Sequence, residues 1–206
     1  MGTPLRIELP TGNTWRLEDV EEKLLLRDSL PGAHIFDRAA HSLRTAKRSG
    51  MTMRALFPLA LASSWLVNSP AVSPVLHRWS RPPQLDTWIA LLDTLERGEC
   101  APLDGFGSEP YLVEAASKVL ALLVPDRVPL MPKAACEFVL GTTAAEGTRV
   151  FEPMIHWFAR ETTRHADALD DFARMHPTPL SGAQVLDRLL WFDSSEEVPE
   201  ILRMLP

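Results

Sequence analysis

In TRVFEPMIHWFARETTRHADALDDFARM, residues 148–175, the side chains of Phe151, Met154, Ile155, Phe158, Thr162, His165, Ala166, Leu169, Phe172 and Ala173 recur at intervals of three and four. That spacing lines one face of an α-helix, whereas a strand would alternate every second residue. The stretch predicts one long helix with its stripe turned inward, ending before Pro177, which has no amide proton to extend it. The same period continues on both sides. Downstream, Ser181 is placed to cap a helix through Val185, Leu186, Leu189, Leu190 and Phe192, and a last short helix is expected over Val198 to Met204. Upstream, Pro110 to Val124 reads as a helix, as does Gln84 to Arg97, with Leu85, Trp88, Leu91, Leu92 and Leu95 on one face and Gly98 at its end.

Towards the N-terminus the pattern covers Thr52 to Val67, then Ile35, Phe36, Ala39, Ala40 and Leu43, then Leu17, Val20, Leu24 and Leu25; Pro31-Gly32 separates the last two segments. Ser69-Pro70, Pro74 and Pro82-Pro83 punctuate a connection with a short helical turn around Val75 to Trp79. Only the first residues depart from helical spacing. Leu5, Ile7 and Leu9 alternate with Arg6 and Glu8, and Thr11-Gly12-Asn13-Thr14 supplies turn chemistry before Trp15 to Leu17, which predicts a short hairpin. The expectation is an all-α, irregular multi-helix fold over residues 1–206 as a single domain, with an N-terminal β-hairpin, rather than an up-and-down bundle.

At 206 residues and 46% apolar content the chain is long enough to bury one substantial core. Its longest apolar candidate, Ala55 to Val67, is interrupted by Pro58 and is too short for a membrane span, so no membrane partner is expected. The N-terminus lacks the basic, apolar and small-residue succession of a secretory signal, so a cytoplasmic location is expected. Cys100 and Cys136 have no close Cys or His at metal spacing and read as small apolar side chains. Seventeen Arg against four Lys suggests a GC-rich, bacterial genome.

A net charge of −6 opposes nonspecific binding to nucleic acid. The charge is uneven, however. Residues 30–90 carry seven cationic side chains (Arg38, Arg44, Lys47, Arg48, Arg54, Arg78, Arg81) against Asp37 and Asp86, while residues 91–206 hold ten cationic and nineteen acidic ones. Such a split fits either an anion-facing patch or two faces that complement each other within the fold.

Common catalytic signatures are absent: no G-x-S-x-G, phosphate loop, G-x-G-x-x-G, H-E-x-x-H or C-x-x-C occurs. Glu152 with His156, and Glu161 with His165, stand four apart on the long helix. Their spacing and their confinement to one helix differ from a di-iron arrangement, so no metal or cofactor is expected. Trp65, Trp79, Trp88, Trp157 and Trp191 occupy apolar helical positions and read as core anchors. The best anion site is the basic run from Arg38 through Arg44, Lys47 and Arg48 to Arg54.

Gly105-Phe106-Gly107, the helix containing Ala115-Ala116-Ser117-Lys118, and Val124-Pro125-Asp126-Arg127-Val128-Pro129-Leu130 resemble the hairpin region of the helix-hairpin-helix DNA glycosylases. They are also similar to small bacterial proteins of that kind, whose C-terminal L-D-x-x-L-W helix is matched by Leu186-Asp187-Arg188-Leu189-Leu190-Trp191. The resemblance spans residues 85–193. It implies a scaffold whose hairpin glycines bring backbone amides to a DNA phosphate, with a downstream aspartate that stabilises charge as a base leaves. Here Ser108 to Glu114 separate Gly107 from Ala115, and Pro132 stands at the aspartate position, so base excision is not expected. The leading expectation is a noncatalytic binding or accessory protein with a protein partner, a class that includes immunity and antitoxin-like proteins without the sequence singling them out. The alternatives are a nucleic-acid-binding protein using Arg38, Arg44, Lys47, Arg48, Arg54 and Lys118, and an enzyme using Glu161 and His165.

Overall fold

The computed structural model describes residues 5–29, 33–65, 77–100, 103, 112–142 and 148–195. Strand β1 (Leu5–Glu8) pairs antiparallel with β2 (Thr14–Leu17), with Ile7 opposite Trp15 and Leu5 opposite Leu17. Alternation buries Ile7, Trp15 and Leu17 and leaves Arg6 and Arg16 in solvent.

Nine helices follow among the described residues: α1 (Val20–Ser29), α2 (Ala33–Arg48), α3 (Met53–Trp65), α4 (Gln84–Glu96), α5 (Leu112–Leu123), α6 (Lys133–Leu140), α7 (Phe151–Arg164), α8 (Ala166–Met175) and α9 (Gly182–Ser194). The chain is therefore all-α apart from its hairpin. Two helices act as hubs: α5 packs on α2 and α3, and α9 packs on α1, α6, α7 and α8. A single apolar cluster links both groups, and α2 joins them by touching α1 as well as α3 and α5. Helix α5 is buried on every side except at Glu114 and Lys118, which form a 2.7 Å ion pair, as befits an element in the middle of a core. No described helix is long and apolar enough to cross a membrane.

Local chemistry explains several boundaries. Ser181 accepts from the Gln184 amide while Gln184 reaches back to the Ser181 amide, a reciprocal cap at the start of α9. Helix α6 starts after Pro132 and ends at Gly141, whose φ of +67° suits glycine and where a side chain would collide with Thr11 of the hairpin turn, 2.9 Å away. Trp79 and Trp88 pack with ring centroids 4.6 Å apart, with Phe57 against Trp88 at 5.6 Å, and Trp157 is buried; Trp191 is only half-buried.

The single long helix expected from residues 148–175 is two. The backbone leaves helical geometry at His165 (φ −113°, ψ 19°), which caps α7 and opens α8. Just before it, the Thr162 and Thr163 hydroxyls donate to the carbonyls of Phe158 and Ala159 at 2.7 and 2.8 Å, a competition for main-chain acceptors that bends helices. The break redirects the inward stripe. Ala166, expected inside, is exposed, while Leu169 and Ala173 stay buried along the face packed on α9.

The turn at Pro31-Gly32, the prolines at 70 and 74, Gly105-Phe106-Gly107 and the helix expected over 198–204 lie outside the described residues.

Candidate functional site

Three of the six basic candidates are gathered in one place. Arg44, Lys47 and Arg48, on the last turns of α2, line a groove of about 980 Å³ together with Arg127 from the turn after α5. Sequence reasoning missed Arg127, because nothing local marks a turn residue as the neighbour of a helix some eighty positions earlier. Arg44 donates to neutral acceptors only, the Gln184 side-chain oxygen at 3.2 Å and the Ala40 carbonyl at 3.4 Å. Lys47 is ion-paired with Glu96. Arg48 and Arg127 have no ion-pair partner among the described residues, and the Arg127 guanidinium lies over Gly98. The other candidates are placed elsewhere: Arg38 is exposed on α2 and absent from the groove wall, Arg54 pairs with Asp86, and Lys118 pairs with Glu114.

Glu161 and His165 do meet, but inside the protein. Glu161 is completely buried; one carboxylate oxygen accepts from Arg160 Nε at 2.6 Å and the other lies 3.4 Å from His165 Nε2. The pair stands at the α7–α8 break, and neither residue lines the basic groove, the groove between the hairpin, α1 and α8, or the depression beside the latter, as formed by the described residues. His156 is exposed, Glu152 is half-buried, and no metal-holding group of His, Cys, Asp or Glu occurs among the described residues. Burial, helped by Glu152, pushes the Cys100 thiol up to about 11. Burial, with Glu114 and Glu137, pushes the Cys136 thiol up to about 12. Neither is a poised nucleophile.

A network that no sequence pattern announced ties three helices together. Arg188, buried within the apolar run of α9, donates to Asp28 at 2.6 Å and to Asp37 at 3.1 Å. Arg27, also buried, bonds Asp37 at 2.5 Å, and His176 Nε2 lies 3.2 Å from Asp28. Burial lowers the Arg188 pKa from its ordinary value, as does the neighbouring Arg27, while Asp37, Asp28 and Asp187 oppose the shift. Beside it, burial pushes the Asp187 carboxyl up to about 6, against the Leu130 amide that donates to it at 2.7 Å and the two arginines. Each arginine of the network is paired with a carboxylate, and these pairs join α1, α2 and α9. The one clue was an arginine between leucines in α9 and another after Leu24-Leu25-Leu26 in α1.

The second large groove, about 970 Å³, runs between the hairpin, α1 and α8. Its apolar wall includes Leu5, Leu17, Leu26 and Phe172, and Leu25 stands 55% exposed at its edge. Glu18, Asp19, Glu21 and Glu22 form its polar rim, and no cationic side chain lines it among the described residues. Phe172 and Ala168 also wall a smaller neighbouring depression that ends at Met175, itself 53% exposed, and that carries the Asp171–Arg174 ion pair on its wall. The result is an apolar track edged by carboxylates. Part of that acidity serves α1, whose first turn gains from Glu21 and Glu22 beside its amide-rich end. The exposed leucine and methionine have no such local account.

No protein-family model matches the chain, and neither the search of curated proteins nor that of solved structures found a match.

Proposed function

We propose that this chain is a noncatalytic protein-binding domain whose acidic groove takes the apolar face of a cationic amphipathic segment of a partner protein. The observation that carries the reading is the pairing of a half-exposed Leu25 and an open Phe172 wall with four carboxylates and, among the described residues, no cation on the same rim. A leucine-bearing helix face fills the track, and lysine or arginine on its flanks meets Glu18, Asp19, Glu21 and Glu22. An acidic domain closing over a basic segment is also how an immunity or antitoxin-like protein neutralises its partner. The two free thiols, one fully buried, suit a reducing cytoplasm.

A synthetic amphipathic peptide with lysines flanking a leucine face tests the reading, against a scrambled peptide of equal charge. Binding is expected for the first alone, reduced about tenfold or more by Leu25→Glu with the helical circular dichroism unchanged. Equal binding of both peptides, or insensitivity to Leu25→Glu, removes the proposal.

A further inference from the structure

We infer a second, independent site: the basic groove between the end of α2, the turn after α5 and the start of α9 binds a small phosphate-bearing ligand, its phosphate held by Arg44, Arg48 and Arg127. The inference stands on where the groove's charges are spent. Three carboxylates share its wall, Glu96, Asp126 and Asp170, yet none lies within ion-pair distance of any of these arginines. Glu96 is taken by Lys47, Asp126 accepts the Ser181 hydroxyl, and Asp170 lies against Gly182 at the first turn of α9. Arg44 and Arg48 are four apart and so share one face of α2, and Arg44 bonds only neutral oxygens. The side chains of Arg48 and Arg127 have no hydrogen bond or ion pair to another described residue. Three guanidiniums with no carboxylate within ion-pair distance, gathered in one concavity, match the planar, multidentate recognition of a phosphate dianion.

The same wall argues for a small ligand over a nucleic-acid strand. A chain of phosphates laid along the groove would meet Glu96, Asp126 and Asp170, and the cations that would extend its track are elsewhere: Arg38 is off the wall and Arg54 is held by Asp86. A volume of about 980 Å³ with Leu123, Val124 and Pro125 on one side suits a phosphorylated molecule of nucleotide size, the apolar wall taking its neutral part.

Calorimetric titration of the full chain with inorganic pyrophosphate at low ionic strength tests the site, with a single-stranded oligonucleotide series as the second arm. Saturable pyrophosphate binding is expected, weakened about tenfold by Arg48→Ala and by Arg127→Ala, because each removes a charge-assisted hydrogen bond. Arg38→Ala should leave it unchanged. These substitutions are at the surface, so unaltered thermal unfolding without ligand separates lost binding from lost folding. Absence of saturable binding, or an equal loss in Arg38→Ala, overturns the inference. Oligonucleotides binding more tightly than pyrophosphate, and more so with length, overturn it in favour of a nucleic-acid interface. None of these outcomes depends on the acidic groove.

Discussion

Replacing Arg188 should cost more stability than any other single charge change in the described structure. Its side chain is 5% exposed and its guanidinium makes two bonds to carboxylates, to Asp28 at 2.6 Å and Asp37 at 3.1 Å. Hydrogen bonds to charged groups contribute about 1.5–3 kcal/mol each, so the gross loss is about 3–6 kcal/mol. Two effects reduce it. A buried guanidinium carries a desolvation cost that disappears with it. Asp28 and Asp37 are 27% and 30% exposed, so water takes up part of what Arg188 leaves, and Arg27 still holds Asp37. The expected net loss is about 2 kcal/mol for Arg188→Met, which keeps the stem's volume, and about 3 kcal/mol for Arg188→Ala, which adds a cavity. Against a total of about 5–15 kcal/mol for a domain this is a large fraction. Urea unfolding at pH 7 measures it as a lowered midpoint with unchanged slope. A double-mutant cycle with Asp28→Asn should return a coupling of about 1 kcal/mol or more. If Arg188→Met is as stable as the parent, desolvation cancels the network and apolar packing alone holds α1, α2 and α9 together.

Three further outcomes follow from the same coordinates. Asp187 ionises at about 6 when folded against 3.8 ordinarily, so between those values the folded state holds a proton that the unfolded chain has released. Stability therefore falls as pH rises through that window and levels off above it. Asp187→Asn, whose amide oxygen still accepts from the Leu130 amide, should match the parent near pH 4 and exceed it by about 1–2 kcal/mol above pH 6, read by urea titration across pH. Gly182→Ala places a methyl 2.8 Å from an Asp170 oxygen and 2.9 Å from Leu169 Cβ, so a thermal midpoint lowered by the equivalent of about 1–3 kcal/mol is expected; an unchanged midpoint would show that α8 and α9 part freely. A thiol reagent at mildly alkaline pH should modify half-buried Cys100 slowly and Cys136 only on unfolding, and prompt labelling of both in the native state would contradict the packing of α6.

What was legible in advance was local. The hairpin followed from alternation around Thr11-Gly12-Asn13-Thr14, and the start of α9 followed from Ser181 as its cap, because strand pleat and helix cap depend on neighbouring backbone groups. The break at His165 was not legible, since the three-and-four spacing passes through it in phase. What bends the chain is a pair of threonine hydroxyls and the course α8 takes across α9. Lys118 differs: its pairing with Glu114, four residues earlier on the same helix, follows from helical spacing, and what only the fold decides is that the rest of α5 is buried around that pair.

By itself, then, the sequence determined the helical class, the hairpin, the cap of α9 and the cluster of cations on α2, because all of these are set by short-range periodicity and turn chemistry. Tertiary structure alone decided which charges matter. It brought Arg188 to Asp28 across 160 positions, set Arg127 opposite Arg48, and faced Phe172 towards the acidic start of α1. Charge pairing and groove shape depend on which faces of distant helices meet, and that is settled by burying apolar stripes against one another, not by the residues next door.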